Sequence, residues 1–149
     1  GLTLSTLLAT GRQFPVTAAV TLSAWADLTC SGESMVTRAA VEPVLGTHLM
    51  HPTAATYLAG HDPRDPRASP IFGDLRGLPP LLMQVGDAEI LLDDTRGFAA
   101  KARAAGVDVR CEVWPEMFHV FQGFSAILPE GQEAIASIGA YLRDHAGLT

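Results

Sequence analysis

Apolar and polar residues fall along this chain in blocks whose periods predict helices and strands in turn. Leu2–Thr10 is apolar, made of good helix formers, and stops at Gly11, as a helix closed by a glycine would. After Pro15 comes Val16–Ser23, a short β-branched run that suits a buried parallel strand. Pro80–Val85, ended by Gly86, predicts a second buried strand. Ile90–Ala105 places Leu91, Phe98, Ala99 and Ala102 at helical spacing. Its acids Asp93 and Asp94 fall in the first turn and its bases Arg96, Lys101 and Arg103 further along, which complements the helix macrodipole. Val107–Val113 alternates Val107, Val109, Cys111 and Val113 with charged neighbours, the pattern of a half-exposed edge strand. Ile135, Ile138 and Leu142 mark the apolar stripe of a final helix running to about His145.

Between the first two strands the pattern breaks. Val41–Met50 and Pro52–Leu58 each predict a short helix, and His61–Pro70 is a proline-rich polar connection. An excursion of this size in an α/β domain is usually a lid or cap. Strands alternating with helices predict an α/β fold with a parallel sheet covered on both faces.

Composition narrows the function classes. The 149 residues are 48% hydrophobic and 17% charged, which suits one globular domain. The net charge of −6 and the absence of any Lys/Arg run exclude the electrostatic footprint of a nucleic-acid binder. No apolar run reaches the length of a membrane span, and no signal peptide is visible, so a cytoplasmic location is expected. Cys30 and Cys111 share no metal-ligand spacing and are read as buried thiols acting as small hydrophobes.

The chemistry gathers after the second and third strands. Ligands of parallel α/β sheets bind beyond the carboxyl ends of the strands. Here those ends carry Gly86-Asp87-Ala88-Glu89 and Trp114-Pro115-Glu116-Met117-Phe118-His119. A carboxylate on one loop and a histidine on the next can meet, the acid fixing the imidazole tautomer and stabilising the imidazolium. Spacing alone leaves His119 open between a catalytic histidine and an ordinary loop residue.

Several segments occur in a telling order: Leu22-Ser23-Ala24-Trp25-Ala26-Asp27-Leu28-Thr29, Asp62–Pro70, Leu78–Gly86, the acidic segment, and Trp114–Phe121. Together they resemble the C-terminal part of the hormone-sensitive-lipase-like esterases, bacterial α/β-hydrolases with a cap. The resemblance covers essentially the whole chain. It implies a partial α/β-hydrolase domain over 1–149, with 29–78 as the helical cap segment and connection. It implies a carboxylic ester hydrolase acting on short-chain acyl esters through a Ser-Glu-His triad, with a small-molecule ester as partner and neither cofactor nor metal. Glu89 falls on the catalytic acid position, where the family's Asp-Pro-Leu-x-Asp pattern has Asp, and Asp93 falls on the second acid. α/β-Hydrolase triads accept either acid. His119 falls on the general base. Glu116 stands where the family often has glycine.

Asp87 is the alternative acid. The plainer readings for Asp87, Asp93 and Asp94 are a solvated loop acid and two helix N-terminal charges, and these are preferred. His48, His51, His61 and His145 match no catalytic position and are read as surface or cap residues.

The family's nucleophile lies in a Gly-x-Ser-x-Gly elbow, which this sequence does not contain. Ser34 and Ser125 sit in partial matches without the second glycine; Ser5 and Ser23 lack the motif. All are read as structural serines. The expectation is that the serine and the oxyanion loop lie outside the chain, upstream of Gly1. The first strand should then pair on one side with the strand bearing the nucleophile, and the chain alone should fold poorly. A homodimer could form through strand 107–113. Alternatively, the chain is a truncated, non-catalytic fragment or interaction module of the same fold; a peptidase or lactonase is a weaker reading.

Overall fold

The computed structural model describes residues 1–147. Its core is a three-stranded parallel sheet in the order β1-β2-β3, formed by β1 (Ala19–Leu22), β2 (Leu81–Gly86) and β3 (Val109–Trp114). Helix α1 (Leu2–Thr10) precedes β1, and α4 (Leu92–Ala104) connects β2 to β3. Helix α5 (Pro129–Ala146) comes after β3. The excursion between β1 and β2 holds α2 (Ser34–Thr37) and α3 (Thr47–Leu58).

Every residue of β2 is buried, as a central parallel strand requires. Leu81 and Met83 share one core with Ala19 and Val109 of the flanking strands, with Leu4 and Leu7 of α1, and with Phe98, Ala99 and Ala102 of α4. Gln84 turns to the opposite face, where its amide donates to the carbonyl of Ala134 on α5 (3.0 Å). Helices therefore lie on both faces, and the carboxyl ends of all three strands come together at one end of the sheet.

The elements depart from the sequence reading in informative places. β1 begins at Ala19 instead of Val16. Ala19 pairs with Leu81, so residues further back would face Pro79 and Pro80, and proline has no N–H to offer a sheet. Of the predicted pair of short helices, residues 41–46 are not helical, and the remainder is a single helix, α3, with Pro52 inside it. A proline there forfeits one backbone hydrogen bond, but Met50, Ala54 and Leu58, spaced four apart, keep one buried face across it. Helix α2, a single turn, has no periodicity to betray it.

The stripe expected on α5 is also displaced. Ile135 and Leu142 are exposed, and the buried positions are Gly131, Ala134 and Tyr141. The small side chains of Gly131 and Ala134 let α5 approach closely the residues beneath it; a Cβ at Gly131 would already stand 3.0 Å from Cα of Ser125. Cys30 and Cys111 are half-buried rather than buried. Among the described residues, the outer edge of β1 has no strand partner.

Candidate active site

Gly86 ends β2, and the chain turns at once: the N–H of Glu89 reaches back to the Gly86 carbonyl (3.4 Å). That turn sends the Glu89 side chain back over the strand end, where it is fully buried. Its Oε1 accepts hydrogen bonds from the Gly86 N–H (2.6 Å) and from the Ser23 hydroxyl at the end of β1 (2.7 Å). Oε2 is left to face Nδ1 of His119 at 3.1 Å. The carboxylate thus spends one oxygen on the scaffold and the other on the imidazole, an arrangement that holds Nδ1 protonated and leaves Nε2 as the basic nitrogen.

The loop carrying His119 is shaped by two left-handed residues, Glu116 (φ 61°) and Val120 (φ 51°). The first explains the position at which the resembled family often has glycine: the backbone there favours a residue without Cβ. Glu116 is held in it by its N–H, which donates to the Asp87 carboxylate (2.6 Å). A β-branched residue such as Val120 is a stronger outlier in this region. Its N–H donates to the Ser23 hydroxyl (3.0 Å), while Phe121, fully buried with Met117 and Ala134, pins the far end of the loop. Strain held by its surroundings in this way concentrates at functional sites.

The two loops touch closely. A Cβ on Gly86 would come within 2.0 Å of the Met117 carbonyl oxygen, so the approach that brings His119 to Glu89 requires glycine there. Two backbone bonds stitch the same seam: Asp87 N–H to Trp114 O (2.9 Å) and Ala88 N–H to Met117 O (3.1 Å). Beneath it, the Gln122 amide donates to Gln84 (3.0 Å), and Gln84 donates to Glu112 on β3 (2.8 Å).

The remaining acids separate by what they hold. Asp87 anchors the histidine loop and is not a freely solvated carboxylate. Asp93 binds the N–H of Ser34 (2.8 Å), and the Ser34 hydroxyl accepts the Asp93 N–H in return (3.1 Å), so α2 and α4 cap one another. Asp94, read from sequence as a helix N-terminal charge, is 2% exposed. Its Oδ2 accepts from the N–H groups of Ala26 and Asp27 (2.8 Å each), while Oδ1 has no partner among the described residues. Burial pushes its carboxyl up to about 7, against the pull of those two donors. Asp94 thereby ties the loop after β1 to the helix beyond the acid.

Among the described residues no serine hydroxyl is hydrogen-bonded to His119. The Ser34 hydroxyl donates to the Ile90 carbonyl (2.6 Å), and Ser125 closes the turn after Phe121. The Ser23 hydroxyl is engaged by Glu89 Oε1 and the Val120 N–H. The Cys30 thiol is pushed up to about 11 by burial and the nearby carboxylates of Asp94 and Asp27, so it stays protonated. No cluster of metal-ligating side chains occurs among the described residues.

A cavity of about 360 Å³ opens beside His119, walled by Trp25, Leu45, Leu49, Met50 and Leu91. A larger one, about 560 Å³, lies between α2 and α3 around Cys30 and His51, and neither Glu89 nor His119 lines it. The first has the lining of a small-molecule site, mostly apolar with a few polar groups converging on it.

A family model, described as the alpha/beta hydrolase fold, matches residues 1–123, a span that includes Glu89 and His119. The chain belongs to that family. Over 130 residues it is 53% identical to an acetyl-hydrolase of Streptomyces hygroscopicus, covering 87% of this chain and 44% of the relative. Over 123 residues it is 39% identical to an esterase of Acinetobacter venetianus, covering 82% and 41%. Among solved structures it is similar to an esterase of the bacterial hormone-sensitive lipase family, with TM-score 0.92 and 47% identity over 95% of this chain and 48% of that one. The chain spans about half the length of the curated relatives it matches. No helix among the described residues is long and apolar enough to cross a membrane.

Proposed function

We propose that this chain carries the acid and the base of a serine carboxylesterase acting on short-chain acyl esters. The carrying observation is the buried Glu89 carboxylate, saturated on Oε1 by two donors and facing His119 Nδ1 with Oε2 at the mouth of an apolar cavity. In this reading His119 Nε2 takes the proton of a serine that this sequence does not supply in a Gly-x-Ser-x-Gly elbow. The serine oxygen adds to the ester carbonyl. Collapse of the tetrahedral intermediate breaks the ester C–O bond, and His119 protonates the departing alcohol. A water, deprotonated by the same nitrogen, then releases the acid. Glu89 orients the imidazole and stabilises it when charged. Residues 29–78 form the cap, and Trp25, Leu45, Leu49 and Met50 bound the ester's apolar part. The names of the relatives, acetyl-hydrolase and esterase, support the reaction class.

The test is hydrolysis of a short-chain p-nitrophenyl ester by the full-length polypeptide that carries this chain, beside its His119→Ala variant. Loss of about 10³-fold or more in kcat is expected, in line with removal of a triad member. Undiminished turnover by the variant would remove His119 from the mechanism. The absent elbow motif favours a second reading for the 149 residues taken alone: a fold fragment without turnover. Ester hydrolysis by the isolated chain, abolished by His119→Ala, would overturn that one.

A further inference from the structure

We propose that Ser23 is a positioning residue, whose hydroxyl sets both the geometry and the basicity of the Glu89–His119 pair; this rests on the esterase reading above. Ser23 is the first residue after β1, and its N–H still pairs with the Gln84 carbonyl on β2 (2.8 Å). Its side chain is 3% exposed. The hydroxyl donates to Glu89 Oε1 (2.7 Å) and accepts the N–H of Val120 (3.0 Å), the residue directly after His119. One oxygen atom therefore joins the carboxyl ends of all three strands: its own on β1, the acid loop after β2 and the histidine loop after β3.

The backbone argues that the hydroxyl is there for a reason. Ser23 has φ 49°, a conformation that favours glycine. Val120, which it holds, is β-branched and also left-handed, at φ 51°. With the hydroxyl removed, Val120 loses the partner that secures its conformation, and Glu89 Oε1 keeps a single donor, Gly86.

The electrostatic consequence has a sign. A donor to a carboxylate stabilises its charged form and spreads its charge. Without Ser23 the Glu89 charge is less compensated, so it stabilises the imidazolium more strongly. The aim of the base is also less well fixed.

Ser23→Gly removes the hydroxyl while suiting the backbone, and Ser23→Ala removes it with Cβ retained. In the full-length polypeptide both should lower kcat for a short-chain p-nitrophenyl ester by about tenfold to a hundredfold, the rate equivalent of a hydrogen bond to a charged group. KM should stay within about twofold, since the hydroxyl is spent on the acid. The acid limb of kcat/KM should move to higher pH. Wild-type kcat in Ser23→Gly, or a loss of kcat with the limb unmoved, overturns the proposal, the second outcome meaning a structural tie only. Loss of folded structure in both variants, read by thermal unfolding, also overturns it. His119→Ala measured in parallel separates the layers. If it is inactive while Ser23→Gly is normal, this inference alone fails; if it is active, the esterase reading fails first.

Discussion

Gly86→Ala is the sharpest perturbation the fold offers, because one methyl group would strike the seam between the acid loop and the histidine loop. The added Cβ would sit 2.0 Å from the Met117 oxygen, 2.3 Å from its carbonyl carbon and 3.0 Å from the Phe118 nitrogen. All three are backbone atoms, so no side chain can swing away. Contacts of about 3.5 Å are normal between such atoms, so the histidine loop must retreat by roughly 1–1.5 Å. That movement breaks the Ala88–Met117 bond and stretches the 3.1 Å contact between Glu89 and His119 beyond hydrogen-bonding reach. Overpacking costs about 1–3 kcal/mol and each lost bond about 1 kcal/mol, so a stability loss of about 3–5 kcal/mol is expected. A misplacement of this size also costs about 10²-fold in rate.

The assay pairs thermal unfolding with kcat/KM in the full-length polypeptide, using Gly97→Ala as the control. At Gly97, inside α4, a Cβ meets only the tip of Ile71 at 3.4 Å, so that variant should be neutral or stabilised by up to about 1 kcal/mol. If Gly86→Ala melts and turns over like the wild type, the close approach of the two loops is not what aligns the pair.

Glu89→Gln keeps the shape of the acid but offers the imidazole the wrong hydrogen-bonding partner; kcat should fall about 10³–10⁴-fold with little change in melting temperature, and a loss under tenfold would dismiss Glu89 as the orienting acid. Asp94 should make stability depend on pH. Its carboxyl is raised from the usual value near 4 to about 7, so between those limits the folded state keeps a proton that the unfolded chain releases. Stability is fullest below about pH 4, falls by up to about 1.4 kcal/mol per pH unit as pH rises towards 7, and levels off above it. Asp94→Asn retains an acceptor for Ala26 and Asp27 and should flatten that slope in denaturant titrations at pH 5 and pH 7; an unchanged slope would assign it to other groups. Finally, the outer edge of β1, unpaired among the described residues, and the exposed Ile135 and Leu142 predict that the isolated 149-residue chain associates or melts without cooperativity, whereas a monodisperse monomer with a sharp transition in light scattering and calorimetry would contradict this.

Sequence by itself determined the alternation of strands and helices and the loops on which chemistry could occur. β2 was legible because a central parallel strand is apolar on both faces, and α4 because Phe98, Ala99 and Ala102 recur at the helical period. Resemblance marked Glu89 and His119. Periodicity reports whether a local face meets a core, and it fails where that question has no local answer. Thus α5 buries Ala134 and Tyr141 while the more hydrophobic Ile135 and Leu142 stay out, and α3 runs through Pro52 on the strength of its packed face. The roles of Ser23 and Asp94 were invisible for a related reason. Ser23 reaches Glu89 across 66 residues and Val120 across 97, and Asp94 holds Ala26 from 68 residues away. Such hydrogen bonds depend on where three parallel strands end relative to one another, and only the register Leu22 with Gln84, and Gln84 with Glu112, decides that. A serine in a left-handed turn and an aspartate in a helix's first turn look ordinary in one dimension. The tertiary structure makes one a link between acid and base and the other a buried anchor, because it removes water and leaves each polar group only the partners the fold supplies.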